Sequence, residues 1–285
     1  LIMSEEYTLK YTESGGLTIA YQIWGSSEDT LVYVPGMISH LEAGLEDQDY
    51  LAWIRALSKF FCVIIFDKRG QGLSDRDASA PNLEERMDDI SSIVKAEKLD
   101  QFFLLGLSEG ASISLIYAAT YPQKVKSVAV FGGTDRFTKS DDYRLMPEAK
   151  KMKENLLGKW GTGSSGYIFC PQRMPENQSS FAKLERMVCN PKTLESVLEL
   201  ITRIDIRASL PDIKLPVLVM HSRDDVAISK LNGRYLADNI PGAKYIEYPN
   251  GGHLPWHEER ESIIKDLKSF FSETGNENKA VDRSL

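Results

Sequence analysis

The residues best suited to covalent chemistry are Gly106-Leu107-Ser108-Glu109-Gly110, a serine bracketed by glycines. The apolar run FFLLG (102–106) leads directly into them and an Ala-rich segment follows, so a strand is expected to bend sharply into a helix. Such an elbow strains the serine backbone and exposes its Oγ above a sheet. Glycines at 106 and 110 carry no Cβ, which lets the strand and helix backbones approach closely. The bland alternative is a helix N-cap serine between glycines; the flanking strand and helix favour the catalytic role.

A hydroxyl is a weak nucleophile and needs a base within hydrogen-bond reach. The chain has four histidines. His253 sits in Asn250-Gly251-Gly252-His253-Leu254-Pro255, where small residues and a following proline can project an imidazole over a sheet edge. His257 beside Glu258 suggests a metal, but Pro255 interrupts the helix that this spacing needs and there is no HExxH, so no metal is expected. His40, just past Pro35-Gly36, is placed to line a pocket, and His221 ends a strand as a core or hydrogen-bonding histidine. The imidazole needs a carboxylate to hold its tautomer. Ser222-Arg223-Asp224-Asp225 offers two, and neighbouring side chains in an extended loop point apart, so only one can face His253. The oxyanion that forms on attack requires positioned donors. The backbone N–H of Glu109 is one, and the Pro35-Gly36-Met37 turn supplies a second from Met37. A Glu109 carboxylate there would disfavour anionic substrates unless it points away.

These residues must be held by alternating strands and helices. TLVYVP (30–35), FCVIIFD (61–67), FFLLG (102–106), SVAVFG (127–132), LPVLVMH (215–221) and AKYIEYP (243–249) read as strands of a parallel sheet buried on both faces. EEYTLKY and LTIAYQIWG flank Ser14-Gly15-Gly16 as an antiparallel hairpin at the sheet edge. In 83–98, Leu83, Met87, Ile90 and Val94 draw one helical stripe, with Asn82 and Glu85 as a capping box. A helix from Gly110 to Tyr121 stops at Pro122, and a last helix spans about 259–272. The polar stretch after it reads as a frayed tail. From Thr134 to Arg207 there is no strand-like run. Lys139–Leu157 is charged and periodic, 158–166 is Gly-rich, and Asn190-Pro191 caps a helix through Leu194, Val197, Leu198 and Ile201. The expected organisation is an α/β core of residues 1–133 and 208–285, with a helical cap at 134–207.

Composition narrows the function classes. At 285 residues, 42 % hydrophobic and 26 % charged, the chain is a globular protein with a sizeable core. Its net charge of −7 argues against nucleic acid. Cys62, Cys170 and Cys189 form neither a CxxC pair nor a disulfide framework, which points to a reducing compartment. No apolar stretch is long enough to span a bilayer and LIMSEEYTLKY lacks signal-peptide character, so a cytoplasmic location is expected. Nothing calls for a cofactor, and oligomeric state is not readable.

The chain resembles the α/β-hydrolase superfamily over nearly its whole length. PGMISH looks like the oxyanion-loop segment, FDKRGQGLSDR like the loop after the next strand, GLSEG like the nucleophile elbow, HSRDDVAIS like the acid segment and GGHLPW like the histidine loop. In that family the catalytic carboxylate stands three residues after a small residue following the strand, which from Ser222 selects Asp225. DKRG-GLSDR, RYLADNIPGAKYIEYP and GHLPW look most like a bacterial subgroup found alone or joined to nucleotide-cyclase domains. FDKRGQG is not a dinucleotide fingerprint, because Asp75 stands at the third glycine position. The resemblance implies a serine hydrolase of a small or medium carboxylic ester, with Ser108 as nucleophile, His253 as base and Asp225 as its partner. Thioesterases, lactonases, perhydrolases and carbon–carbon bond hydrolases keep the same triad, and the fold is also reused for ligand sensing. Trp160, Tyr167, Phe169 and Trp256 are candidates for an apolar pocket.

Overall fold

The computed structural model describes residues 2–3, 6–76 and 81–282. Among these, nine strands form one sheet: β1 (Ile2–Met3), β2 (Tyr7–Ser14), β3 (Leu17–Trp24), β4 (Thr30–Val34), β5 (Cys62–Phe66), β6 (Phe102–Leu107), β7 (Val125–Phe131), β8 (Val217–Ser222) and β9 (Lys244–Tyr248). The spatial order is β1-β2-β3-β5-β4-β6-β7-β8-β9. From β5 to β9 every pairing is parallel. The β2–β3 hairpin turns through Gly15-Gly16 and joins β5 antiparallel. All six expected parallel strands form, as does the edge hairpin.

The helices are α1 (Gln48–Ser58), α2 (Leu83–Ala96), α3 (Glu109–Thr120), α4 (Ala149–Leu157), α5 (Gly166–Phe169), α6 (Gln178–Val188), α7 (Pro191–Arg203), α8 (Lys230–Asn239) and α9 (Arg260–Asp282). Successive strand residues serve opposite layers, because side chains alternate across a sheet. Val32, Val34, Phe102 and Leu104 pack with Ile90 of α2 and Leu115 of α3. Leu31, Tyr33, Phe103 and Leu105 pack with Trp53 of α1 and Phe271 of α9. Truncating a buried leucine such as Leu105 to alanine costs about 2–5 kcal/mol.

β4 leads to β5 on one side while its neighbour β6 leads to β7 on the other, so the connections from the C-terminal ends of these adjacent strands leave in opposite directions. Open α/β sheets bind ligands in the crevice at such a reversal. Ser108 and the turn at Pro35 lie at these strand ends.

Between β7 and β8 the described residues contain helices and no extended strand. Asn190 caps α7 through Thr193 N–H at 2.9 Å. The glycine-rich loop is held by buried Glu185, whose carboxylate accepts from the N–H groups of Gly161, Gly163 and Ser165 and from the Ser165 hydroxyl. Two expectations are corrected. The periodic stretch 139–157 is helical only from Ala149, because Pro147 stands just ahead of the helix and its carbonyl accepts from Lys139 N–H in a turn. The last helix continues past the expected end near 272 to Asp282, so the polar stretch is helical where it is described; residues 283–285 lie outside the described residues. The first of the added turns is docked through Thr274, 2.7 Å from the Ser127 hydroxyl, and through the close approach of Gly275 to Phe103. No helix among the described residues is long and apolar enough to cross a membrane.

Candidate active site

Ser108 joins β6 to α3 with φ 56° and ψ −119°, a conformation that non-glycine residues rarely adopt. Backbone strain of this kind costs about 1–3 kcal/mol and persists where the surroundings over-determine it. Here they do. A Cβ on Gly106 would lie 2.5 Å from the Gly110 carbonyl oxygen, and one on Gly110 would lie 2.1 Å from that of Val34. Both glycines are therefore needed for the bend to close.

Asp225 and His253 are brought together from the loops after β8 and β9. His253 Nδ1 lies 2.7 Å from Asp225 Oδ2. Because a carboxylate accepts, Nδ1 carries the proton and Nε2 presents a lone pair. That Nε2 is buried without a protein hydrogen-bond partner. His253 and Ser108 line one cavity. Asp225 Oδ1 accepts from the N–H groups of Ala227 and Ile228, both at 2.9 Å. Burial alone would raise the Asp225 carboxyl, but His253 and His221 beside it hold it well below the usual carboxylate range. Asp224, the neighbouring candidate, is exposed.

The other histidines have different partners. His221 Nε2 lies 2.8 Å from the Ile228 carbonyl oxygen and 3.4 Å from Asp225 Oδ2. His40 lines the cavity with Ser108, its Nδ1 accepting from Glu42 and Ala43 N–H groups at 3.2 Å. His257 pairs with Asp49 at 3.3 Å beside Arg173, in a neighbouring cavity of about 390 Å³ that shares Asp47 and Leu184 with the one at Ser108.

Met37 and Glu109 flank Ser108, and among the described residues neither backbone N–H has a protein acceptor. A Cβ on Gly36 would lie 3.2 Å from the Ser108 Cβ, so the loop after β4 sits against Ser108. Glu109 borders the larger of the two cavities at Ser108, and its side chain is buried against two cations. Its carboxylate meets Lys68 Nζ at 2.9 Å and Arg86 Nε at 3.5 Å, all three side chains being buried. Burial outweighs this pairing for Lys68 and brings it down to about 8. Glu109, between two cations, stays below the ordinary range although burial opposes this. Lys68 also donates to the carbonyls of Pro35 and Gly36, and Gln71 Nε2 to that of Met37 at 2.7 Å. Asp67 accepts from Leu41 and Leu73 N–H groups, and burial raises it to about 7. These four residues of the β5 and α2 region (67, 68, 71, 86) were not singled out from the sequence. For 67, 68 and 71 the available signal is a run of charged and polar residues immediately after a strand buried from Val63 to Phe66.

Two cavities meet at the serine. One of about 90 Å³ is lined by Tyr33, His40, Leu184, His253 and Trp256. The other, of about 290 Å³, is lined by Phe137, Met146, Leu156, Tyr167 and Ile201. Met37, Ser108 and Phe169 border both. The Phe169 ring lies over the His253 imidazole, with centroids 5.5 Å apart. Of the four aromatic candidates, Trp160 is the one that lines neither; it packs in the insert and donates to the Cys189 carbonyl at 2.8 Å.

Comparison with known proteins places these features in a family. A family model described as serine aminopeptidase, S33 (Hydrolase_4), matches residues 25–260. Serine hydrolase BPHL from Mus musculus is 25 % identical over 265 residues, covering 88 % of this chain and 83 % of that protein. Among solved structures, the enol-lactonase from Burkholderia xenovorans LB400 superposes with a TM-score of 0.77 at 24 % identity, covering 92 % of this chain and 100 % of that one. The esterase EaEST from Exiguobacterium antarcticum gives 0.80 at 22 % identity, with 92 % and 99 % coverage. With its strained elbow and mostly parallel sheet, the chain belongs to the serine aminopeptidase S33 family of α/β hydrolases.

Proposed function

We propose that this hydrolase cleaves small or medium carboxylic esters through an acyl-enzyme on Ser108. The observation that carries the reading is the unpartnered Nε2 of an Asp225-bound His253 in the cavity that Ser108 lines. Neutral His253 takes the Ser108 proton as Oγ attacks the ester carbonyl. The N–H groups of Met37 and Glu109 bind the oxyanion, and protonated His253 gives its proton to the leaving alkoxide. Water, deprotonated by His253, then attacks the acyl-enzyme and releases the acid and Ser108. The Glu109–Lys68 pairing keeps the carboxylate off the substrate path, which removes the objection to a glutamate beside the nucleophile.

Residues 134–207 serve in this reading as a cap that encloses the two cavities and sets substrate size. The lining side chains are mainly apolar, which favours esters with apolar groups on both sides of the carbonyl. The test is direct. A fluorophosphonate probe should label Ser108, and Ser108→Ala should abolish both labelling and turnover of p-nitrophenyl acetate. Undiminished turnover by that variant would overturn the assignment.

A further inference from the structure

Residues 67–71, directly after β5, have no part in the acyl-transfer scheme, yet they are buried beneath the proposed oxyanion donors. Lys68 is 1 % exposed. Its ammonium has three N–H groups and three acceptors: the Gly36 carbonyl at 2.7 Å, Glu109 Oε2 at 2.9 Å and the Pro35 carbonyl at 3.1 Å. Simple neutralisation of a buried glutamate does not require two peptide carbonyls, and Glu109 already has Arg86 at 3.5 Å.

The Gly36 carbonyl matters because it shares a peptide with the Met37 N–H. That peptide is trans, so its C=O and N–H point in opposite directions. An ammonium gripping the carbonyl from below fixes the N–H on the other side, where Met37 and Ser108 border the cavities. A cation on the carbonyl also polarises the peptide and strengthens its N–H as a donor. Through its remaining hydrogen, the same ammonium holds the side chain of Glu109, whose backbone N–H is the second donor.

We propose that Lys68 is the positioning residue of the oxyanion hole, one buried ammonium orienting the Met37 and Glu109 donors together. It acts through these two residues and touches no substrate. The inference rests on the acyl-enzyme reading above.

The test uses Lys68→Met in the full chain. Glu109 keeps Arg86 as a counter-ion there, which limits the penalty of an unpaired buried charge. Arg86→Met is the comparison, since it removes the other cation of Glu109 and leaves Lys68 on both carbonyls. The readouts are kcat and KM for p-nitrophenyl acetate, inhibition by a trifluoromethyl ketone whose serine adduct places an oxyanion in the hole, and melting temperature. For Lys68→Met, kcat should fall about 100-fold or more with KM within about threefold, and ketone inhibition should weaken in parallel. For Arg86→Met, kcat should stay within about tenfold of wild type even if the melting temperature drops as far. Equal kcat and equal ketone inhibition in the two variants would overturn the proposal, leaving Lys68 a mere counter-ion. Should Lys68→Met not fold, Lys68→Met/Glu109→Gln removes the pair together. A kcat still about 100-fold down supports positioning, and a recovered kcat overturns it. Wild-type protein that neither turns over the ester nor reacts with a fluorophosphonate would remove the acyl-enzyme reading itself; an active wild type with an equally active Lys68→Met removes only the positioning role.

Discussion

His253 and His221 both lie beside Asp225, and what each ring nitrogen touches separates their roles. His221 Nε2 is occupied by the Ile228 carbonyl and its unpartnered Nδ1 faces Gly233, whereas the unpartnered Nε2 of His253 belongs to a ring that lines the Ser108 cavity. Asp225→Asn should leave the imidazole in the wrong tautomer and lower kcat for p-nitrophenyl acetate by about 10³–10⁴. The same variant changes acid stability in a set direction. The Asp225 carboxyl is held lower in the folded chain than in the unfolded one, so the unfolded chain takes up the proton first as pH falls. Its contribution is complete above about pH 4 and is lost as pH drops through the folded value. Wild type should therefore lose melting temperature more steeply than Asp225→Asn on going from about pH 5 to about pH 3, by calorimetry; parallel slopes would contradict the assignment. Ser108 and His253 are legible as candidates from residue type and local spacing. Asp225 was not separable from Asp224 without the family resemblance, because only the fold buries one and exposes the other. Arg86 carries a signal of its own: it falls between Leu83 and Ile90 on the apolar stripe of α2 and is fully buried.

At the scale of elements, the parallel strands were legible because burial on both faces leaves continuous apolar runs. The hairpin was legible from its glycine pair. The predicted capping box on α2 forms, with Asn82 Oδ1 accepting from Glu85 N–H at 2.8 Å and Glu85 Oε2 from Asn82 N–H at 2.9 Å. Asn82→Ala should cost about 1 kcal/mol in urea denaturation, with an unchanged m-value. The insert was less legible, since its loops are held by long-range polar contacts that leave no periodic trace. Glu185 looks like a solvated helix residue in sequence, yet it is buried and accepts from three N–H groups and a hydroxyl. Glu185→Ala leaves those donors unsatisfied and should cost about 2–4 kcal/mol, with faster hydrogen exchange at residues 161–165 than in the sheet. The extra turns of α9 were missed for a related reason: its docking depends on Thr274 and Gly275, neither of which adds to an apolar stripe.

Over the whole molecule, the core and the helical insert meet at Ser108, and Phe169 divides the space they enclose. Its ring borders both cavities and lies over the imidazole. Phe169→Ala should raise kcat/KM for p-nitrophenyl hexanoate relative to the acetate by about tenfold, as the two cavities merge. The insert is also tied to the core by Arg173–Asp49 at 2.7 Å and Lys183–Glu46 at 2.6 Å, partly and well exposed pairs respectively. Such pairs contribute at most about 1 kcal/mol each, so apolar packing carries most of the attachment. The most direct test of the central claim is peptide mapping of protein quenched in acid during turnover of p-nitrophenyl acetate. The account predicts one acetyl group on the Ser108 oxygen, absent from Ser108→Ala. Steady product formation with Ser108 unmodified at every quench time, and equal turnover by the alanine variant, would contradict it.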